Sequence, residues 1–180
     1  MITVRAGRSV GAAGLARRRG DYGCMEHSGE GCVFCEVASG VVEVSLVHQD
    51  ELVLVIMDSH PVNPGHVLVV SREHVAALED LDDGVGTHMW CTARRVARGL
   101  RRCGLRCEGV NLLLEDGEGA FSGASHVHLH VFPRFADDDF VIDADCEPRD
   151  RRLLNREAWL LRDAIASLGP GAGSRGYERL

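Results

Sequence analysis

The chain has 180 residues, 45% of them apolar, and a net charge of −7. That length holds one domain with a sizeable core, no apolar run approaches the ~18 residues of a membrane-spanning helix, and the acidic balance argues against a general nucleic-acid binder. An acidic protein can still bind a phosphate locally through helix ends, backbone N–H groups or imidazolium.

In chain order, residues 1–24 hold five arginines, one acidic residue and many glycines and alanines, with no apolar stretch after "RRR". They read as a disordered extension with Met25 as the true first residue; an Arg-rich transit peptide is the alternative. "ELVLVIMD" (51–58) and "HVLVVS" (66–71) are strand-like aliphatic runs, and "DSHPVNPG" between them is turn chemistry. A helix is expected over residues 80–102, where Leu81, Val85, Met89, Thr92, Val96 and Leu100 fall near helical spacing. "GVNLLLED" (109–116) reads as a third strand, "GEGAFSGAS" (117–125) as a Gly/Ser loop and "HVHLHVFPR" (126–134) as a fourth strand. Residues 150–168 read as a second helix stopped by Gly169-Pro170, and residues 169–180 as a disordered tail. Strands with helices inserted between pairs indicate an α+β fold, with its domain over residues 25–168.

"HVHLHVF" carries the chemistry. Strand side chains alternate faces, so His126, His128 and His130 share one face, ~7 Å apart by strand rise, while Val127, Leu129 and Val131 fill the other. One histidine is usually a surface or satisfied core residue, but three in phase after a Gly/Ser loop are a chemical surface. The row could bind a metal. It could equally attack phosphorus, with one imidazole as nucleophile and a neighbour carrying the proton. The preceding loop could offer N–H groups and hydroxyls to phosphate oxygens.

These residues resemble the histidine-triad (HIT) family, whose pattern "HVHLHVF" matches without a gap. "CVFCEVASG" (32–40) is similar to the family's first segment, and "VLVIMDSHPVNPGHVLVVSREHV" (53–75) to its Asp-x-x-Pro-x-x-Pro-Gly-His strand pair. The match spans roughly residues 30–145. It implies a HIT-like α+β fold, an antiparallel sheet of about five strands with two helices, dimerising into a continuous sheet. It also implies a purine nucleotide substrate, with hydrolysis or transfer at the α-phosphate of phosphoramidates, acyl adenylates or dinucleoside polyphosphates. By resemblance His128 is the nucleophile that forms a nucleotidyl-histidine intermediate. His130 helps bind the phosphate, and His66 of "PGH" is the fourth site histidine. Asp58 holds the ribose hydroxyls, its carboxylate accepting both vicinal protons. Phe34 has two readings, an aromatic wall for the base or plain core packing. The family usually carries Gly-Gln-(Ser/Thr/Glu) where this chain has Phe121, Ser122 and Gly123. Ser122 can still donate a hydroxyl to phosphate, with Gly123 beside it, but the glutamine is gone. A HIT module that binds nucleotides with little turnover is the alternative function, and a zinc-organised interaction protein a third.

Cys32 and Cys35 have the spacing of a zinc half-site, or are two small, partly buried thiols; a redox pair is disfavoured because no helix N-terminus clearly follows Cys32. In some HIT relatives such a pair joins two distant histidines, here His74 and His126, which implies a closed structural Zn2+ site. The odd count of seven cysteines, with no clear secretion signal, favours free thiols or metal in a reducing cytoplasm over disulfides. The remaining cysteines (24, 91, 103, 107 and 146) read as core or incidental thiols. His27, His48, His60 and His88 read as ordinary histidines without a role in the site; His60, in the "DSHP" turn, reads as facing solvent, with a place in the pocket lining as the alternative. "ADDDF" (136–140) reads as a solvated loop, with a divalent-metal site as the alternative.

Overall fold

The computed structural model describes residues 2–6, 31–120, 124–144 and 147–168. Two aliphatic runs make its centre. β3 (Val53–Met57) and β4 (Val67–Ser71) pair antiparallel from Val53 opposite Ser71 to Met57 opposite Val67. Almost every residue of both strands is buried, which explains why they read as unbroken apolar runs rather than as alternating ones. β6 (His128–Arg134) pairs with β4, and β5 (Gly109–Leu114) pairs with β6, both antiparallel. β2 (Leu46–Gln49) closes the other side through an irregular register between Leu46 and His48. The sheet therefore runs β2-β3-β4-β6-β5, the five antiparallel strands expected.

Helix α2 (Asp83–Leu100) covers one face. Its Met89, Ala93, Ala97 and Leu100 pack on Val53, Val55, Val67, Val69, Val127, Leu129 and Val131. It starts three residues later than the spacing predicts. Residues 78–80 form a separate 3-10 turn, and Asp82 then caps the helix by accepting the N–H groups of Gly84 (2.8 Å) and Val85 (3.1 Å). Such a cap is worth about 1 kcal/mol, enough to fix the boundary.

The short helix α1 (Val33–Ala38) lies on the opposite face. Its Phe34 and Val37 join Leu54, Ile56, Leu68 and Val70 in a second core. The histidine row shares this face, because Leu68 pairs with His130 and Val70 with His128. A third helix, α3 (Arg151–Ser167), follows β7 (Phe140–Ala144) in the chain and is capped by Asp150.

Three expectations change. A helix N-terminus does follow Cys32, which is the N-cap residue of α1, a helix of only six residues that leaves little periodic signal. Ile2–Ala6, within the segment read as disordered, form strand β1, paired antiparallel with β7 from Ile2 opposite Ala144 to Ala6 opposite Phe140. Pairing across the whole length of the domain leaves no local signal. The acidic run is not simply a solvated loop. Asp137 takes a φ of 65°, and the Asp138 side chain turns inward to 2% exposure. There it accepts from Arg134 Nε (2.6 Å) and Nη2 (2.8 Å), from Asn63 Nδ2 (3.1 Å) and from the Phe135 N–H (3.1 Å).

Candidate active site and Cys/His cluster

The loop between β3 and β4 sets two of the site residues. Gly65 has a φ of +100°, and a Cβ there would lie 3.0 Å from Leu105, 3.1 Å from Leu100 and 3.3 Å from Pro133. Only glycine fits that backbone and that gap. The turn it makes delivers His66 beneath the histidine row, at 2% exposure. Asp58, at the start of the loop, is oriented by the His60 N–H, which donates to Oδ1 (2.8 Å).

Three imidazoles form one connected line. His128 Nδ1 is 2.8 Å from the His126 carbonyl oxygen, which can only accept, so Nδ1 carries the hydrogen and Nε2 keeps its lone pair. His128 Nε2 lies 3.1 Å from His130 Nε2, and His130 Nδ1 lies 3.0 Å from His66 Nε2. His66 Nδ1 accepts the Val62 N–H (3.2 Å) and sits 3.3 Å from Asp58 Oδ2. One set of neutral tautomers satisfies every hydrogen bond along the line and leaves His66 Nδ1 as an acceptor, so its contact with Asp58 is not a hydrogen bond in that state. His66 donates to His130, His130 donates to His128, and His128 donates to its neighbour's carbonyl.

Phe34 is 3% exposed, with its ring 4.9 Å from that of His128 and 5.5 Å from that of His126. It offers an edge to the row from within the core and almost no open face. Its contact with both rings shows that His126 and His128 point to one side, although β6 begins only at His128. Ser122 and Gly123 lie outside the described residues.

The other end of the row meets the cysteines. Cys32 Sγ is 3.1 Å from His126 Nδ1, and Cys35 Sγ is 3.3 Å from His74 Nδ1. The four donor atoms of Cys32, Cys35, His74 and His126 all lie within 4.8 Å of one another. His126 Nε2 donates to the Ser71 carbonyl (2.8 Å), so its Nδ1 lone pair faces the thiols. Two thiols, two imidazoles and a carbonyl that fixes one tautomer are a donor set that suits a tetrahedral zinc ion.

Residues 39–137 match the HIT domain model, more than half of the chain. The chain belongs to the HIT family. It is 32% identical over 143 residues to an uncharacterized HIT-like protein of Mycobacterium tuberculosis, covering 75% of this chain and 97% of that protein. A Zn-bound histidine triad family protein from Mycobacterium smegmatis has 36% identity and a TM-score of 0.59, over 76% of this chain and 94% of the other. A bis(5'-adenosyl)-triphosphatase of Dictyostelium discoideum is 30% identical over 119 residues, 62% of this chain and 79% of its own.

Burial governs the electrostatics of this HIT site. Desolvation lowers the pKa of His128 and of His66. It pushes His130 down to about 3, with the neighbouring His128 and His66 adding to the effect. The row is therefore uncharged at neutral pH, as a nitrogen nucleophile must be.

Sequence reasoning missed three partners. Asn63 ties the β3–β4 loop to β6 through the Pro133 carbonyl (2.9 Å) and to Asp138. Ser71 supplies the carbonyl that orients His126, and a backbone oxygen has no signature. His48 and His88 are not free surface residues, since both reach Asp50 Oδ2, at 3.4 and 2.8 Å. They join the β2–β3 turn to α2, and the turn's polar "HQD" could have suggested part of this.

Proposed function

We propose that this HIT protein is a nucleotide hydrolase or transferase acting at the α-phosphate, with His128 Nε2 as the nucleophile. The observation that carries this is the His128 Nδ1–H bond to the His126 carbonyl. It fixes the neutral tautomer in which Nε2 keeps its lone pair, 3.1 Å from His130 Nε2. Attack forms a P–Nε2 bond and breaks the bond from phosphorus to the leaving group, which departs with the electron pair and takes up a proton from solvent. Water then attacks phosphorus and gives up a proton to solvent, the P–N bond breaks, and its electrons return to Nε2.

His130 has two tasks in this scheme. In the resting site its Nε2–H donates to His128 Nε2. Once that lone pair is committed to phosphorus, the same N–H is free to turn to a phosphate oxygen, where charge develops. His66 holds His130 in the required tautomer through Nε2–H to Nδ1. Asp58, oriented by the His60 N–H, takes the ribose hydroxyls. By resemblance to the family, Ser122 with Gly123 beside it contributes to phosphate binding, and Phe34 buttresses the His128 ring at 4.9 Å between ring centres. The substrate class is a purine nucleoside phosphoramidate, acyl adenylate or dinucleoside polyphosphate.

Cys32, Cys35, His74 and His126 hold a structural zinc ion. When bound it ties α1 and the segment after β4 to the start of the catalytic strand. The chain works in the cytoplasm, where those thiols stay reduced. It acts as a homodimer whose sheets join along β5, the regular six-residue edge, rather than along the irregular β2.

The test is turnover of adenosine 5'-phosphoramidate by wild type and His128→Ala, with AMP binding measured on both. The proposal expects AMP release only from wild type and binding by both. Equal inertness with intact binding would instead favour a nucleotide-binding module, a role the altered pre-triad loop also suits.

A further inference from the structure

Helix α3 has no buried residue. At 3.6 residues per turn, Leu153, Leu154, Leu160, Leu161, Ile165 and Leu168 fall on one side of it. Leu161 is 62% exposed, Ile165 57% and Leu168 82%. Glu157 lies on the same side, but its carboxylate is held by the Arg149 guanidinium. A helix of 17 residues with a bare apolar face is marginal alone, because helices in proteins draw most of their stability from packing.

A second bare surface lies across the N-terminal end of α2. It is a groove of about 510 Å³ lined by Leu78, Leu81 and Trp90, with Asp82 and Asp83 among its walls. Trp90 is 59% exposed and Leu78 43%, so the chain's own α3 leaves this groove open. The charges are complementary. α3 carries Arg151, Arg152, Arg156 and Arg162 against Glu157 and Asp163, a net positive helix in a chain of net charge −7. The groove is acidic, with Glu79 and Asp80 just before it.

We propose that α3 of one copy docks, apolar face down, into the Leu78/Leu81/Trp90 groove of a second copy, and that the exchange is reciprocal. This rests on the homodimer reading above and adds a second interface to it. A helix of this length is about 26 Å long and about 10 Å wide, so covering two helices and two grooves removes on the order of 1,000 Å² from water, the lower bound for a specific interface. Pairing two α3 helices with each other would instead bring arginine-rich rims together. The groove borders the segment that precedes the histidine row, because the Leu78 N–H donates to Asp116 Oδ1 (3.0 Å).

The chain has two tryptophans, Trp90 in the groove and Trp159 on the polar side of α3. In full-length Trp159→Phe protein, Trp90 alone reports docking. Its emission is measured beside molar mass from sedimentation equilibrium over a dilution series. Leu161→Asp and the pair Arg156→Glu/Arg162→Glu are then made in the same background, with folding checked by circular dichroism. The proposal expects a dimer with blue-shifted Trp90 emission that moves red as the dimer dissociates. It also expects a dimer about tenfold weaker or worse in Leu161→Asp, the effect of ~1.4 kcal/mol, and loss of the salt dependence in the arginine pair variant. A dimer whose Trp90 stays solvent-exposed and ignores Leu161→Asp overturns this inference and leaves the sheet-joined dimer standing. A monomer with blue-shifted Trp90 shows the helix in its own groove and also overturns it. A monomer with exposed Trp90 removes both readings.

Discussion

Lowering the pH should unfold this protein partly through His130. Its side chain is 14% exposed, and burial among His128 and His66 pushes its pKa down to about 3. In the unfolded chain the same imidazole titrates near 6.5. Between those values the unfolded state binds a proton that the folded state refuses. Stability is therefore complete above about pH 6.5 and falls as the pH drops towards 3. At pH 4.5 the gap is about two pH units below the unfolded pKa, a loss of roughly 2.7 kcal/mol relative to pH 7.5. His130→Gln removes that titration. Urea unfolding followed by circular dichroism at pH 7.5 and 4.5 reads the difference. With a slope of roughly 2 kcal/mol/M, the midpoint should fall about 1–2 M less in the variant than in wild type. Acid loss of a metal would act on both proteins alike, so it cancels in the comparison. Equal falls in the two proteins would refute the claim that a buried, uncharged His130 is part of the folded site.

Asp138→Asn should cost about 3 kcal/mol in urea denaturation, because it leaves the Arg134 guanidinium without its charged partner; a change within 0.5 kcal/mol, the usual range of a surface substitution, would return "ADDDF" to an ordinary solvated loop. The Arg134 hydrogen bonds hold the Asp138 carboxyl well below the usual carboxylate range. Its contribution should therefore persist above about pH 4 and vanish only as the pH falls further. Gly65→Ala must strain a φ of +100° and press a methyl on Leu100 and Leu105. We expect a loss of about 1–3 kcal/mol and a lower kcat from the displaced His66, and an unchanged melting temperature would contradict this. Cys35→Ser should abolish stoichiometric zinc, measured by plasma emission spectrometry of protein purified without chelator. Retention of one zinc per chain in the variant would remove Cys35 from the ligand set.

Residues with a local reason to stand where they do were legible in the sequence. The period-two histidines, the Cys-x-x-Cys pair and the "PGH" turn announce themselves because strand alternation, metal geometry and a positive φ each demand particular residue types at fixed spacing. The central strands were legible too, since burial on both faces leaves unbroken aliphatic runs. What escaped depends on partners distant in the chain. Nothing near Ile2–Ala6 foretells its pairing with residues 140–144. Three consecutive aspartates look alike until one positive φ aims the second at Arg134. Asp50 lies in the β2–β3 turn, and only the fold brings His88 to it. The α2 boundary slipped because Asp80, Asp82 and Asp83 are all acceptable near a helix start, and the hydrogen bonds of Asp82 decide among them.

In the proposed reaction His128 Nε2 becomes bonded to phosphorus. The most direct test mixes the purified protein with adenosine 5'-phosphoramidate, quenches in milliseconds at a pH where phosphohistidine survives, and measures the intact mass and then the modified peptide. We expect an AMP adduct that maps to His128, is absent in His128→Ala, and decays as free AMP appears. An adduct on His126 or His130, or AMP release by His128→Ala at the wild-type rate, would contradict it.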